Sequence, residues 1–211
     1  MAKIKNLVFD FGGVFCKIEL QRCVEAFRQL GFNDVAKYMN LYSQTGCFGD
    51  MEAGKITDDD FREKICEHVG HEVSWEECRK AWLAFMVEVP QENLEHLLRL
   101  RAAGYNVALL SNTNPFVTSW FRSNEFDGNG HGIDHYIPRE HQYLSFEQKC
   151  MKPGSEIFEK MLAQEQFVPE ETLFIDDGKG NLETARQLGI HTFLPDNGER
   201  WGKRLEEYLK Q

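Results

Sequence analysis

Three short apolar runs in this chain of 211 residues stop at polar side chains suited to holding a metal or an anion. Ile4-Lys5-Asn6-Leu7-Val8-Phe9 ends at Asp10, with Gly12 and Gly13 just beyond; Asn106 to Leu110 ends at Ser111-Asn112-Thr113; Thr172 to Ile175 ends at Asp176-Asp177. Carboxylates brought together repel one another, and a divalent cation removes that cost. Magnesium suits such a set, being a hard ion that takes oxygen ligands and keeps several waters. Asp10 and Asp176 are the expected direct ligands, and Asp177 either ligates or holds a metal-bound water. A phosphate ester completes the constellation. The metal polarises one phosphoryl oxygen. Ser111 and Asn112, with the backbone N–H groups around Phe11–Gly13 and Asn112, hold the others. Lys152 adds positive charge beside the phosphoryl group, and Asp10 is left as nucleophile, giving an aspartyl-phosphate that water later cleaves.

Each of these residues also has a plainer reading. Asp10 and Ser111 fit turns, Asp176 and Asp177 fit helix N-caps, and Lys152 taken alone fits a solvated surface. What favours the chemical reading is the fold the elements predict. Strands over 4–9, 106–110, 172–175 and 190–194 alternate with helical patterns, which implies a parallel α/β sheet with helices on both faces. In an open parallel sheet the strand C-terminal ends form the ligand crevice, so the three polar groups converge there. Gly104 and Gly189 are placed to close helices in the left-handed conformation.

From about Leu20 to Glu88 the pattern predicts helix with no strand in it. Ser74-Trp75-Glu76-Glu77 is a capping-box pattern, and Thr57 precedes three acids that favour a helix start. This stretch is too long for a single crossover, so it predicts an inserted cap. The expected division is a core of residues 1–15 and 89–211 and an α-helical cap of residues 16–88. Trp75, Trp82 and Phe85 are expected in the cap core, one of them able to face a substrate. Glu52 reads as an exposed loop acid, or else as a residue that selects substrate. Residues 124–152 are the hardest to read; Gly128, Gly130 and Gly132 mark a loop there, with His131, His135 and His141 expected to face water.

Composition narrows the partners. A formal net charge of −10 and no Lys/Arg-rich run argue against nucleic acid or an anionic membrane. The apolar stretches fall short of the ~18–20 residues that a membrane span needs. Six cysteines with no C-x-x-C pair argue against zinc, and free thiols in a reducing cytoplasm are expected. The expected partner is a small-molecule phosphate ester, and the expected state a monomer or weak homodimer.

The four motifs together resemble the haloacid dehalogenase-like (HAD) superfamily. They are Leu7-Val8-Phe9-Asp10-Phe11-Gly12-Gly13-Val14, then Leu109-Leu110-Ser111-Asn112-Thr113, then Lys152-Pro153, then Phe174-Ile175-Asp176-Asp177 with Asn181 behind it. The resemblance implies a Rossmann-like core, a helical cap of the C1 type, and magnesium held by Asp10, Asp176, Asp177 and the Gly12 carbonyl. It leans toward the subgroup of small-molecule phosphatases that includes α-D-glucose-1-phosphate phosphatases. Two departures stand out. Most family phosphatases carry a second aspartate where this chain has Gly12, and that aspartate is the general acid/base. Relatives also often place glycine where this chain has Lys149. The other readings are a carbon–halogen hydrolase using the same aspartate, which an acid-rich metal site disfavours, and a non-catalytic module for a phosphorylated ligand or protein.

Overall fold

The computed structural model describes residues 3–41 and 43–210. The chain opens with β1 (Asn6–Phe9) and the short β2 (Lys17–Ile18). Four helices follow, α1 (Leu20–Gln29), α2 (Gly46–Glu52), α3 (Asp58–Val69) and α4 (Trp75–Leu83), and then β3 (Met86–Glu88). Beyond them come α5 (Gln91–Ala102), β4 (Asn106–Ser111), α6 (Pro115–Phe121), β5 (Gln142–Leu144) and α7 (Ser145–Gln148). The chain finishes with α8 (Ser155–Glu165), β6 (Thr172–Ile175), α9 (Lys179–Gln187), β7 (His191–Phe193) and α10 (Gly202–Leu209).

Five of the strands form one sheet in the order β5-β4-β1-β6-β7, and all its pairs are parallel. This is the expected α/β, Rossmann-like core. Its strands are buried on both faces, so side chains of period two enter two different cores. Leu7, Phe9, Leu109, Leu173 and Ile175 join the larger one; Val8, Ala108, Leu110 and Phe174 join the smaller. Because β1 is central, β4 and β6 are its two neighbours, with Phe9 level with Leu109 and Ile175. The residues just beyond those three positions therefore share one edge.

Local signals set the helix ends. Thr57 and Ser74 both complete capping boxes, with Asp60 and Glu77 reaching back to them. Gly104 and Gly189 turn left-handed after α5 and α9. The helical stretch differs from its prediction in two respects. Between α1 and α2 the described residues contain only one three-residue 3-10 turn, Val35–Lys37. And Met86–Glu88 is a strand, antiparallel to β2, with Lys17 opposite Glu88 and Ile18 opposite Met86. Two strands this short leave no alternation to read; each exists because the other is there. They tie the two ends of the helical segment together beside Gly12.

That segment packs on aromatic rings. Phe48 of α2 lies 5.0 Å from both Phe27 and Phe61 and 5.6 Å from Trp82. Phe61 in turn meets Phe116 of α6 at 5.8 Å, which joins this cluster to the sheet's larger core. No helix among the described residues is long and apolar enough to cross a membrane.

The hard-to-read stretch is ordered around a buried acid. Asp127 accepts from the backbone N–H groups of Asn129 and His131, from the Tyr136 hydroxyl at 2.8 Å and from His131 Nδ1 at 2.9 Å. These donors hold its carboxyl well below the usual range despite burial. His131 and His135 are exposed as expected, but His131 is tied to Asp127 and His141 to Glu165. β5 then adds an edge strand that three residues could not announce.

Candidate active site

Asp10 follows β1 directly, Ser111 ends β4, and Asp176 and Asp177 follow β6, so the parallel register delivers all of them to one sheet edge. Lys152 arrives from the loop before α8. Its Nζ lies 2.9 Å from Asp10 Oδ1 and 2.7 Å from Asp176 Oδ2, and it is only 3% exposed. Burial alone would lower this lysine's pKa; the two carboxylates outweigh that and raise it, so the ammonium stays charged.

Asp176 is fully buried and held on both oxygens. Gly178 N donates to Oδ1 at 2.6 Å, and Asn181 Nδ2 reaches both oxygens at 3.1 and 3.0 Å. Asn181 thus supports the acid loop, as its position suggests. Asn112 has a similar supporting part. Its amide donates to Lys152 O at 2.8 Å and accepts from Lys152 N at 2.9 Å. Of the two ways Asn112 was expected to meet an anion, the side chain is already spent on positioning the lysine. Ser111 lines the cavity, while Ser145 beneath it bonds the Thr113 main chain in both directions.

Gly12 and Gly13 differ in what they permit. Gly13 has φ +73, and a Cβ there would overlap the Asp177 carboxylate, so only glycine lets that acid approach. A Cβ on Gly12 would make ordinary contact with Ile18 at 3.6 Å. Space alone does not account for the glycine at position 12.

Oxygens of Asp10, Asp176 and Asp177 lie within 4.8 Å of one another. Asp177 Oδ2 is buried with no hydrogen-bond partner. Burial, together with the acids beside them, pushes Asp177 up to about 7 and Asp10 up to about 6, even though Lys152 pulls both down. Three clustered acids facing one ammonium, with one oxygen unsatisfied, are a donor set that fits a hard divalent cation.

Glu52, at the C-terminal end of α2, lines the same cavity as Asp10. It is 7% exposed, not the solvated loop acid that its type suggests. The signal was in its spacing. Phe48, Met51 and Glu52 fall at i, i+3 and i+4, one helix face, and the first two are fully buried. Gly54 fixes the turn that follows: its φ is +67 and a Cβ would overlap the Phe146 carbonyl. Glu52 is pushed up to about 8, first by burial and further by Asp10, while Asn114 pulls the other way. Asn114 caps α6 by accepting from Val117 N at 3.1 Å. Its buried Nδ2 lies beside the Glu52 carboxyl without a well-formed hydrogen bond. Trp82 and Phe85, expected in the packed core, also line the cavity.

Residues 4–189 match the haloacid dehalogenase-like hydrolase family. Over 206 residues the chain is 43% identical to the D-ribitol-5-phosphate phosphatase of Bacteroides thetaiotaomicron, covering 98% of each protein. A HAD-like family hydrolase from Porphyromonas gingivalis shares the fold at a TM-score of 0.93 and 35% identity, over 100% of both chains. A HAD family enzyme from Bacteroides thetaiotaomicron, solved with magnesium and inorganic phosphate, superposes at 0.83 with 37% identity, over 95% of this chain and 98% of that one.

Proposed function

The chain belongs to the haloacid dehalogenase-like hydrolase family and is a phosphoric monoester hydrolase; we propose that it works with magnesium through an aspartyl-phosphate on Asp10, on the phosphate ester of an acyclic sugar alcohol such as ribitol 5-phosphate. The observation that carries this reading is the placement of Asp10. It ends the central strand, faces the cavity, and shares one buried ammonium with Asp176.

Each residue has a part to play. Asp10, Asp176, Asp177 and the Gly12 carbonyl are the groups that would hold magnesium, which supplies Lewis-acid polarisation of a phosphoryl oxygen. Lys152 sets a fixed positive charge where the phosphoryl group enters, and Asn112 and Asn181 keep that charge and its partner in register. Ser111 offers a hydroxyl to the phosphoryl oxygens. An Asp10 oxygen attacks phosphorus and the ester bond breaks; water then attacks the same phosphorus, freeing phosphate and regenerating the carboxylate. The helical segment from α1 to α4 acts as the cap that screens this intermediate.

Support for a polyol comes from the relative of full-length similarity and from the cavity wall. Leu41, Phe85 and Met86 are apolar; Gln44, Glu52 and Asn114 are polar. An acyclic polyol presents carbon and hydroxyl by turns and can match such a wall.

Phosphate release from ribitol 5-phosphate, glucose 1-phosphate and p-nitrophenyl phosphate, with magnesium and with EDTA, tests the reading. The highest kcat/KM is expected on ribitol 5-phosphate, with turnover lost in EDTA. Asp10→Asn is expected to lower kcat by at least about 10³-fold. Preference for glucose 1-phosphate would overturn the substrate class, and an active Asp10→Asn variant would overturn the nucleophile.

A further inference from the structure

A polyol phosphate has a poor leaving group. Its alkoxide must be protonated as the ester bond breaks, and Gly12 offers no proton. The cavity therefore needs an acid from elsewhere. Among the described residues its titratable side chains are Asp10, Lys152, Asp177 and Glu52. Asp10 is the nucleophile, Lys152 is bound by two carboxylates, and Asp177 belongs to the metal set. Glu52 is left without a part.

We propose that Glu52, carried by the helical segment, is the general acid and base of this site. It lines the same cavity as Asp10 but is carried by α2 and not by the sheet edge, and an in-line displacement sends the leaving group away from Asp10. It is buried, so water does not compete for its proton, and among the described residues no cation pairs with it. The Asn114 amide beside it has an N–H that can favour the carboxylate formed when the proton leaves. Phe48 and Met51 on the same helix face, and the tight turn at Gly54, fix where the carboxyl points. Its raised pKa agrees with a carboxyl that carries a proton near neutral pH.

The steps balance. Asp10 Oδ attacks phosphorus, the phosphorus–oxygen ester bond breaks, and its electron pair stays on the leaving oxygen, which takes the Glu52 proton. Glu52, now a carboxylate, accepts a proton from the water that attacks the aspartyl-phosphate. Phosphate leaves, Asp10 is again a carboxylate, and Glu52 is again an acid.

The inference rests on the phosphatase reading above, and the experiment separates the two. Wild type and Glu52→Gln are compared with magnesium on ribitol 5-phosphate and on p-nitrophenyl phosphate, whose phenolate needs little help to leave. Because kcat/KM reports steps up to ester cleavage, loss of the acid should show there. The alkyl-to-aryl ratio of kcat/KM is expected to fall by about 10²-fold in Glu52→Gln, at the lower end of what a positioned acid contributes. An equal loss on both substrates, or no loss, would overturn the role of Glu52. Wild type inactive on both substrates would overturn the phosphatase reading with it. Should Glu52→Gln not fold, wild-type kcat/KM across a series from phenyl to primary alkyl phosphates decides. A shallow dependence on leaving-group acidity is expected, and a steep one would overturn the proposal.

Discussion

On the sheet side of the cavity, Asp10 and Asp176 share the Lys152 ammonium at 2.9 and 2.7 Å, and Asp176 gains further donors from Gly178 and Asn181. On the helical side Glu52 sits on the face of α2 that carries Phe48 and Met51, and no cation among the described residues meets it. Both sides bury carboxyls, but they resolve the cost differently. Paired acids can stay ionised in a dry place, whereas an acid given burial without a cation is pushed toward its neutral form. The Asp10–Lys152–Asp176 group is thus built to hold charge and the helical side to hold a proton, with the unpaired Asp177, raised to about 7, between the two cases. The end of α2 adds to this, since the negative pole of a helix dipole disfavours an anion there.

The largest effect should come from removing the shared cation. Lys152→Met leaves Asp10 and Asp176 buried and uncompensated. Breaking a buried pair from one side typically costs about 3–5 kcal/mol. Thermal melts of the metal-free protein should show a fall in Tm of about 6–20 °C, at about 2–4 °C per kcal/mol for a chain of this size. A melt like that of wild type would mean that the sheet side does not depend on its pairing, and the contrast with Glu52 would collapse.

A smaller effect is expected from pH. Asp10, Asp177 and Glu52 all have folded pKa values raised above their ordinary ones, to about 6, 7 and 8. The folded state therefore binds more protons than the unfolded one across the window from about 4 to 8, so stability is highest below it and declines as pH rises through it. The carboxyls held low, such as Asp34, Asp60 and Asp127, act below that window, while His96, held low by burial, offsets part of the trend within it. The metal-free protein should melt several degrees lower at pH 8 than at pH 5.5. Magnesium should recover more Tm at pH 8, because it binds only the ionised acids. Equal Tm gains from magnesium at both pH values would show that the sheet-side acids are not the binding set.

The smallest effect lies in the loop that carries Lys152. Lys149 has φ +56, a left-handed backbone that favours glycine. Lys149→Gly removes about 1 kcal/mol of backbone strain, part of which the freer unfolded chain takes back. A net gain of about 0.5 kcal/mol, read by urea denaturation with turnover preserved, would show that the loop's strain is separate from the cavity's chemistry. The Lys149 side chain is exposed and is not among the residues that line the cavity.

Much of the sheet side was legible because its signals are local. A run such as Leu7-Val8-Phe9 is hydrophobic on both faces, and the acid after it must lie at a strand end. The parallel register then puts Asp10, Ser111 and Asp176 together without any further information. The capping boxes at Thr57 and Ser74 were readable for the same reason. The β2–β3 pair and β5 were not, since strands of two or three residues have no period and form only where a partner waits. Asn112 showed its residue type but not its task, which depends on a main chain 40 positions away.

By itself, then, the amino-acid sequence determined four of the sheet's five strands and the polar residues that follow them at one edge, because residue type, periodicity and capping act within a turn or a strand. Tertiary structure decided the state of Glu52. Its type predicts water. Its burial is the sum of Phe48 packing on Phe27, Phe61 and Trp82, of Gly54 pressing against Phe146, and of Asn114 arriving from the far side. No short window contains that sum, because burial is a property of everything around a side chain and not of the side chain.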